Sequence, residues 1–136
     1  MTKLEKVKSI ARKVRRAFEE IEKEENYNEA DDFGFDLGGY CGRAAIQLFI
    51  ACKKEGIEIN IEEGIGHAYN KFNNYIIDIT ATQFGKYPRV YIKKYKGRKP
   101  EHYQKVRMHT TKSLADEFWI SPHIITKDKK VVNFYQ

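Results

Sequence analysis

Three side chains that could perform nucleophilic chemistry occur in the order cysteine, histidine, aspartate. They are Cys41, which follows the glycine pair Gly38-Gly39, then His67 and Asp78. A thiol becomes a strong nucleophile when a neighbouring base removes its proton, and an imidazole oriented by a carboxylate is a suitable base. We therefore predict a catalytic triad of Cys41, His67 and Asp78.

The sequence places Cys41 at the start of a helix. Apolar residues recur at helical spacing from Cys41 to Cys52, and Gly56 follows the end of the pattern. The free amides and the positive end of the dipole in a first helical turn favour a thiolate, and the same amides can hold an oxyanion. The alternative interpretation is that Cys41 is a small buried apolar residue, because free cysteines are often buried.

His67 and Asp78 fall on two predicted strands, 67–72 and 75–80, on either side of Asn73-Asn74. Asparagine tolerates positive φ, which favours a two-residue type I′ turn. The resulting register makes His67 and Asp78 diagonal neighbours on one face of the hairpin, and a slip of one residue would separate them. The alternative is a structural His–Asp pair on a half-buried sheet.

The run from Gly38 to Phe84, about a third of the chain, resembles the transglutaminase-like branch of the papain-like cysteine enzymes, in particular its small bacterial or phage members. The similarity lies in Gly-Gly-Tyr-Cys-Gly-Arg-Ala-Ala, Gly-His-Ala-Tyr-Asn and Ile-Ile-Asp-Ile-Thr-Ala-Thr-Gln-Phe. It implies that Cys41 is the nucleophile, His67 the base and Asp78 the acid that orients the base. It also implies a papain-like core, in which the nucleophile helix packs on an antiparallel sheet.

The sequence departs from this pattern at the group that would donate a hydrogen bond to the oxyanion. Papain-type enzymes carry a glutamine shortly before the cysteine, whereas the stretch 33–37 contains none. Candidates for oxyanion or substrate contacts are the amide of Cys41 together with Tyr40 and Gly42, and the side chains of Gln83 and Asn28 are weaker candidates.

The length and composition limit the classes of protein to which the chain can belong. The 136 residues, of which 41% are hydrophobic, suffice for one domain with a core. No apolar run approaches the ~20 residues that span a bilayer, and no secretory-type stretch follows the N-terminus. Cys41 and Cys52 would lie about 16 Å apart along one helix, too far to form a disulfide. We therefore expect reduced thiols, a cytoplasmic location, no metal and no cofactor.

Further elements follow from the patterning along the chain. A helix is predicted at 3–25, a loop at 26–39 that could form one wall of a cleft, strands at 57–61, 90–95 and 131–135, and a short helix at 113–120 with Trp119 packed inward. Surface positions are predicted for His102, His109 and His123.

The segment 86–107 is strongly basic. It holds nine Lys or Arg and one Glu, a net charge of +8 in a chain whose total is +6. Tyrosines alternate with these cations, which suits binding of nucleic acid or of an acidic protein. The alternative is a solvated edge strand that lysines protect from aggregation. The predicted basic patch consists of Lys93, Lys94, Lys96, Arg98 and Lys99.

Together these features predict a single α+β domain over residues 1–136, with an N-terminal helix (3–25), a catalytic core (38–84) and the basic segment (86–107). The expected activity is that of a thiol enzyme on an amide or acyl bond of a protein or peptide, as a peptidase, a deamidase or an acyltransferase. The alternative is a non-catalytic basic module that binds nucleic acid or an acidic protein partner.

Overall fold

Helices cover an antiparallel sheet, as expected for the α+β class. The computed structural model describes residues 1–26, 37–120, 123–125 and 131–133. The helices are α1 (Lys3–Asn26), α2 (Cys41–Lys54) and α3 (Thr111–Glu117), and two 3₁₀ turns cover Ala81–Phe84 and Glu101–Tyr103. The strands are β1 (Asn60–Gly64), β2 (His67–Phe72), β3 (Tyr75–Asp78), β4 (Tyr91–Lys93), β5 (Arg107–His109), β6 (His123–Ile125) and β7 (Val131–Asn133).

The two long helices share one hydrophobic core with the sheet. The predicted apolar stripe of α1 is buried at Val7, Ala11, Val14 and Phe18, which pack in the same cluster as Leu48 of α2 and residues of β3. Helix α2 begins at Cys41 and ends before Gly56, whose φ of +74° suits a glycine after a helix end. Both predicted helices are therefore present with nearly the predicted bounds.

The main sheet has the strand order β4-β3-β2-β1-β5, and each neighbouring pair is antiparallel. The predicted hairpin register is present, since Phe72 pairs with Tyr75. The predicted type I′ turn is wrong, because φ is positive (54°) at Asn73 but not at Asn74, and that turn type needs both.

The strand predicted at 57–61 is displaced towards the C-terminus. Ile57, Ile59 and Ile61 are buried as their alternation predicted, but the hydrogen-bonded strand begins only at Asn60 and continues to Gly64. Ile57 and Ile59 instead pack in the hydrophobic cluster that α1 and α2 share with the sheet. Only Ile65 and Gly66 therefore connect β1 to β2.

Three other elements differ from the prediction. The strand at 90–95 is reduced to β4 at one edge of the sheet. The last strand is observed as β7, paired with β6, and residues 134–136 lie outside the described residues. Trp119 does not pack inward: it is 95% exposed with a φ of 57°, because α3 ends before it and the chain turns there.

The predicted loop at 26–39, including Asn28, lies largely outside the described residues. None of the helices that the structure describes is both long enough and apolar enough to cross a bilayer. Within the same residues, no group of three or more His, Cys, Asp or Glu side chains is arranged to hold a metal ion.

Candidate active site

The start of α2 meets the start of β2 at one end of the sheet. One turn into the helix, the Ala45 carbonyl accepts a hydrogen bond from Asn70 Nδ2 of β2 at 3.0 Å. Cys41 lies one turn earlier in the helix and His67 three residues earlier in the strand, so the two run alongside each other. At this end of the sheet the thiol of Cys41 and the imidazole of His67 are interaction partners.

Alternation along β2 divides its side chains between the two faces of the sheet. Ala68 and Asn70 face α2, whereas His67 and Tyr69 lie on the other face with their rings stacked at 6.1 Å. Since His67 is the first residue of the strand, its ring lies at the end of the sheet, where Cys41 can reach it.

The predicted contact between His67 and Asp78 is present. Nε2 of His67 lies 2.7 Å from Oδ2 of Asp78, and the two residues are 0% and 2% exposed. A buried charge without a partner would be costly, and this contact supplies one. The contact also fixes the ring so that Nδ1 is the nitrogen left for chemistry.

Asp78 accepts hydrogen bonds on both of its oxygens. The Tyr103 hydroxyl donates to Oδ2 at 2.6 Å, and the Thr80 amide and hydroxyl donate to Oδ1 at 2.9 and 3.2 Å. Hydrogen bonds to a charged carboxylate favour that charged form. Asp78 is therefore held rigidly as a carboxylate behind the ring of His67.

The electrostatics of the pair favour the charged form of both groups. Burial by itself lowers the pKa of His67, but hydrogen bonds and electrostatic interactions with Asp78 and Cys41 raise the pKa to about 9. Burial raises the pKa of Asp78, yet the hydrogen bond and charge of His67, with smaller contributions from Tyr103 and Thr80, bring that pKa below its usual value. At neutral pH the pair is thus imidazolium and carboxylate.

Cys41 is the other neighbour of the imidazole. Nδ1 of His67 is buried and makes no hydrogen bond of ordinary geometry within the described residues, while Cys41 acts on His67 as a hydrogen-bond and charge partner. Both observations fit a thiol–imidazole contact that is longer or more bent than an ideal hydrogen bond, as is common before substrate binds. Cys41 is 9% exposed, whereas Cys52 is 0% exposed; both are free thiols, as predicted.

An aromatic wall, formed by Phe84, His102 and Tyr103, covers the other side of the His67 ring. The Phe84 ring meets the imidazole edge-on at 4.7 Å and stacks on His102 at 4.0 Å. His102 and Tyr103 approach closely because β1 ends in Gly64: a Cβ there would lie 2.1 Å from the His102 carbonyl oxygen. Phe84 remains 41% exposed, so this wall borders solvent beside the site.

The surface positions predicted for two histidines are wrong. His102 is half-buried in the aromatic wall, where burial, followed by the charge of His67, lowers its pKa. His109 contacts Glu63 through Nε2 at 2.7 Å and Ser113 through Nδ1 at 2.8 Å, and its side chain is 4% exposed. The side chain of His123 lies outside the described residues.

Two of the predicted oxyanion or substrate candidates have structural contacts that use their side chains. Tyr40 is 5% exposed; its ring packs edge-on against Phe18 at 6.2 Å, and the guanidinium of Arg43 lies 4.4 Å from its centre. The Gln83 amide donates to the carbonyl and the hydroxyl of Thr80 at 3.0 and 3.1 Å, so it supports the residue behind Asp78.

Gly42 lies in the first turn of α2, directly beneath the segment that follows α3. A Cβ at this position would lie 2.6 Å from Ile120 Cδ1 and 3.2 Å from Phe118 Cδ2. Glycine therefore permits this close contact. The amides of Cys41 and Gly42 lie in the first turn of α2, and both stay candidate oxyanion donors.

The predicted basic patch is accessible. Lys93, Lys94, Lys96 and Arg98 are exposed and Lys99 is half-buried. The patch begins at Lys93, the last residue of the edge strand β4, whose Tyr91 pairs with Asp78.

Sequence reasoning missed Tyr103 and His102 as neighbours of the pair, and it did not predict that Thr80 donates hydrogen bonds to Asp78. Tyr103 lies 25 residues beyond Asp78 in the chain, where it is one of several tyrosines among basic residues. The Asp-x-Thr spacing of Asp78 and Thr80 was the one available signal, because aspartate side chains often accept a bond from the backbone two residues on.

Comparisons of the chain with models of protein families, with curated proteins and with solved structures found no match.

Proposed function

We propose that this protein is a thiol enzyme that acts on an amide or related acyl carbon. Cys41 is the nucleophile, His67 the general base and acid, and Asp78 the residue that orients the ring. The observation that carries the proposal is the environment of His67: a fully buried imidazole with one nitrogen on a carboxylate and a cysteine thiol as its other polar neighbour.

The reaction follows from the two ring nitrogens of His67: Nε2 contacts Asp78, and Nδ1 is left for Cys41. Because His67 is charged at neutral pH, its Nδ1 already holds the proton that the Cys41 thiol gives up, and the imidazolium stabilises the resulting thiolate. The sulfur attacks the acyl carbon, the carbonyl π pair moves to oxygen, and the amides of Cys41 and Gly42 stabilise that oxyanion. As the C–N bond breaks, Nδ1 returns its proton to the leaving amine, and an acyl-thioester on Cys41 remains.

The second half of the reaction decides the product. If water attacks the thioester, Nδ1 takes one of its protons and returns it to sulfur, and the product is a carboxylic acid, as in a peptidase or a deamidase. If an amine attacks, the product is a new amide, as in a transglutaminase. The order of Cys41, His67 and Asp78 along the chain and the antiparallel sheet support a transglutaminase-like, papain-like core.

The test is an assay that distinguishes these products. Glutamine-containing peptides are incubated with the protein, and peptide cleavage, ammonia release and incorporation of a labelled primary amine are followed by mass spectrometry. We expect at least one product, which Cys41→Ala abolishes while Cys52→Ala retains it. Turnover that Cys41→Ala leaves unchanged would contradict the proposal.

The exposed basic patch favours a second candidate function, namely a non-catalytic module that binds nucleic acid or an acidic protein. Its cations Lys93, Lys94, Lys96 and Arg98 are exposed to solvent. Such binding to nucleic acid would weaken steeply with salt because counterions are released. A steep salt dependence that persists in Cys41→Ala, together with no turnover of any amide, would favour this second function.

A further inference from the structure

A groove runs between α1 and the edge of the sheet, and its lining is cationic. Its volume is about 640 Å³. One wall is formed by α1 and the other by residues 88–92, which include the first two residues of the edge strand β4. The lining residues from α1 are Lys8, Arg12, Arg15, Arg16 and Glu19, and Arg89 adds a further cation from the opposite wall.

Three of these cations form a regular row. Lys8, Arg12 and Arg16 are exposed and succeed one another every four residues, hence about 6 Å apart along the helix. The carboxylate of Glu19 is already paired with Arg15 and Arg89, at 3.2 Å from each Nε. No ion pair within the described residues involves any of the three cations in the row.

The opposite wall includes the edge of a strand. Two successive residues of β4, Tyr91 and Ile92, line the groove after residues 88–90, whereas a groove across one face of a strand would be lined by alternate residues. Within the part of the chain that the structure describes, β4 pairs with β3 on one side only. Its other edge therefore offers backbone donors and acceptors to an added strand.

We propose that this groove binds an extended acidic peptide segment of a partner protein, which adds to the edge of β4. Alternate side chains of an extended chain lie about 6.7 Å apart, close to the 6 Å spacing of the cationic row. Acidic residues at every second position would thus each meet one cation of Lys8, Arg12 and Arg16. From Lys8 to Glu19 the groove is about 16 Å long, which accommodates roughly five extended residues.

A peptide fits this groove better than single-stranded nucleic acid does. Sites for single strands usually combine cations with exposed aromatic rings on which bases stack. The aromatic residue of this lining, Tyr91, has its ring against Tyr103 and Tyr87 instead, with centroids at 6.0 and 4.8 Å. The inference does not depend on the thiol chemistry, and it concerns different residues from the patch at 93–99.

The test measures fluorescence anisotropy with a labelled nonapeptide that carries glutamate at alternate positions, separated by threonine and valine. Arg12→Glu/Arg16→Glu reverses two charges of the row. Lys6→Glu/Lys13→Glu is the matched control, because these exposed lysines on the same helix line a separate depression. We expect at least about tenfold weaker binding for the first variant and a change within about threefold for the second.

Two further probes examine the mode of binding. An isomer of the peptide with contiguous glutamates should bind less tightly, because its charges no longer match the row. Two further peptides are N-methylated at alternate amides, one at the odd and one at the even positions. Only one of these two methylation frames should abolish binding, since only one set of amides faces β4. Circular dichroism of each variant verifies that the helices remain folded, and Arg12→Gln/Arg16→Gln repeats the test with neutral residues.

Several outcomes would overturn the proposal. These are no binding of the alternate-glutamate peptide, equal losses in both charge-reversed variants, and equal effects of the two N-methylated frames. Tighter binding of an oligothymidylate of equal charge, lost in Arg12→Glu/Arg16→Glu, would assign the groove to nucleic acid instead.

Discussion

The hydroxyl of Tyr103 donates a 2.6 Å hydrogen bond to Oδ2 of Asp78, the same oxygen that lies 2.7 Å from the ring of His67. Both side chains are buried, and burial followed by the charge of Asp78 raises the pKa of Tyr103, so the phenol stays protonated. Tyr103 is thus a positioning residue: it holds the carboxylate in place without reaching the thiol.

Tyr103→Phe removes this donor and leaves the ring. Since hydrogen bonds to charged groups contribute about 1.5–3 kcal/mol, we expect a loss of that order in the free energy of unfolding. The matched control is Tyr95→Phe, which removes a partly buried bond between two neutral hydroxyls, Tyr91 and Tyr95, 2.7 Å apart. Urea denaturation should give a larger loss for Tyr103→Phe, and equal losses would argue against a special role for the bond to Asp78.

Gly64→Ala is expected to disturb the site from a distance. Its Cβ would lie 2.1 Å from the His102 carbonyl, a backbone atom that cannot move without carrying Tyr103 with it. We expect about 1–3 kcal/mol of destabilisation, the usual cost of overpacking. Gly97→Ala is the control, because nothing lies within 4 Å of its Cβ and its φ is not positive. A neutral Gly64→Ala in thermal unfolding would mean that the close approach of 102–103 is not required.

The His67–Asp78 pair predicts how stability depends on pH. The pKa of His67 rises from 6.5 in the unfolded chain to about 9 in the fold. Its contribution to stability is therefore complete below pH 6.5 and is lost as the pH rises through about 9, by roughly 3 kcal/mol at most. The lowered pKa of Asp78 acts in the opposite sense, since its contribution is lost as the pH falls through the folded pKa.

Denaturation between pH 6 and 10 should therefore show falling stability in the wild type and a flatter curve in His67→Gln. NMR titration provides a direct measurement, because the ring of His67 should remain charged at neutral pH. His102 should titrate below its ordinary value, since burial lowers its pKa. A His67 signal that titrates near pH 6.5 would contradict the assigned pairing.

Sequence reasoning succeeded where local patterns determine structure. The start of α2 at Cys41, the pairing of Phe72 with Tyr75 and the contact between His67 and Asp78 all follow from helical spacing or from the length of one turn. The catalytic role of these residues stays a prediction.

What sequence reasoning missed depends on contacts between distant segments. Tyr103 reaches Asp78 because Gly64 lets a later segment of the chain approach β1 closely. The periodic pattern of apolar residues in a sequence does not predict such a contact between distant segments. Ile57 and Ile59 alternate like strand residues but pack in the helical core ahead of the strand. Trp119 looked like part of an apolar helix face, yet the helix ends before it.

The rate of alkylation of Cys41 by iodoacetamide, followed by mass spectrometry from pH 5 to 9, tests the central claim most directly. Burial raises the pKa of Cys52 to about 11, so this fully buried thiol is an internal reference that should react slowly. Because an imidazolium stabilises a neighbouring thiolate, Cys41 should react rapidly even near pH 6, and His67→Gln should slow it by at least about tenfold at that pH. Equally slow labelling of Cys41 and Cys52, unchanged in His67→Gln, would contradict a thiol activated by this imidazole.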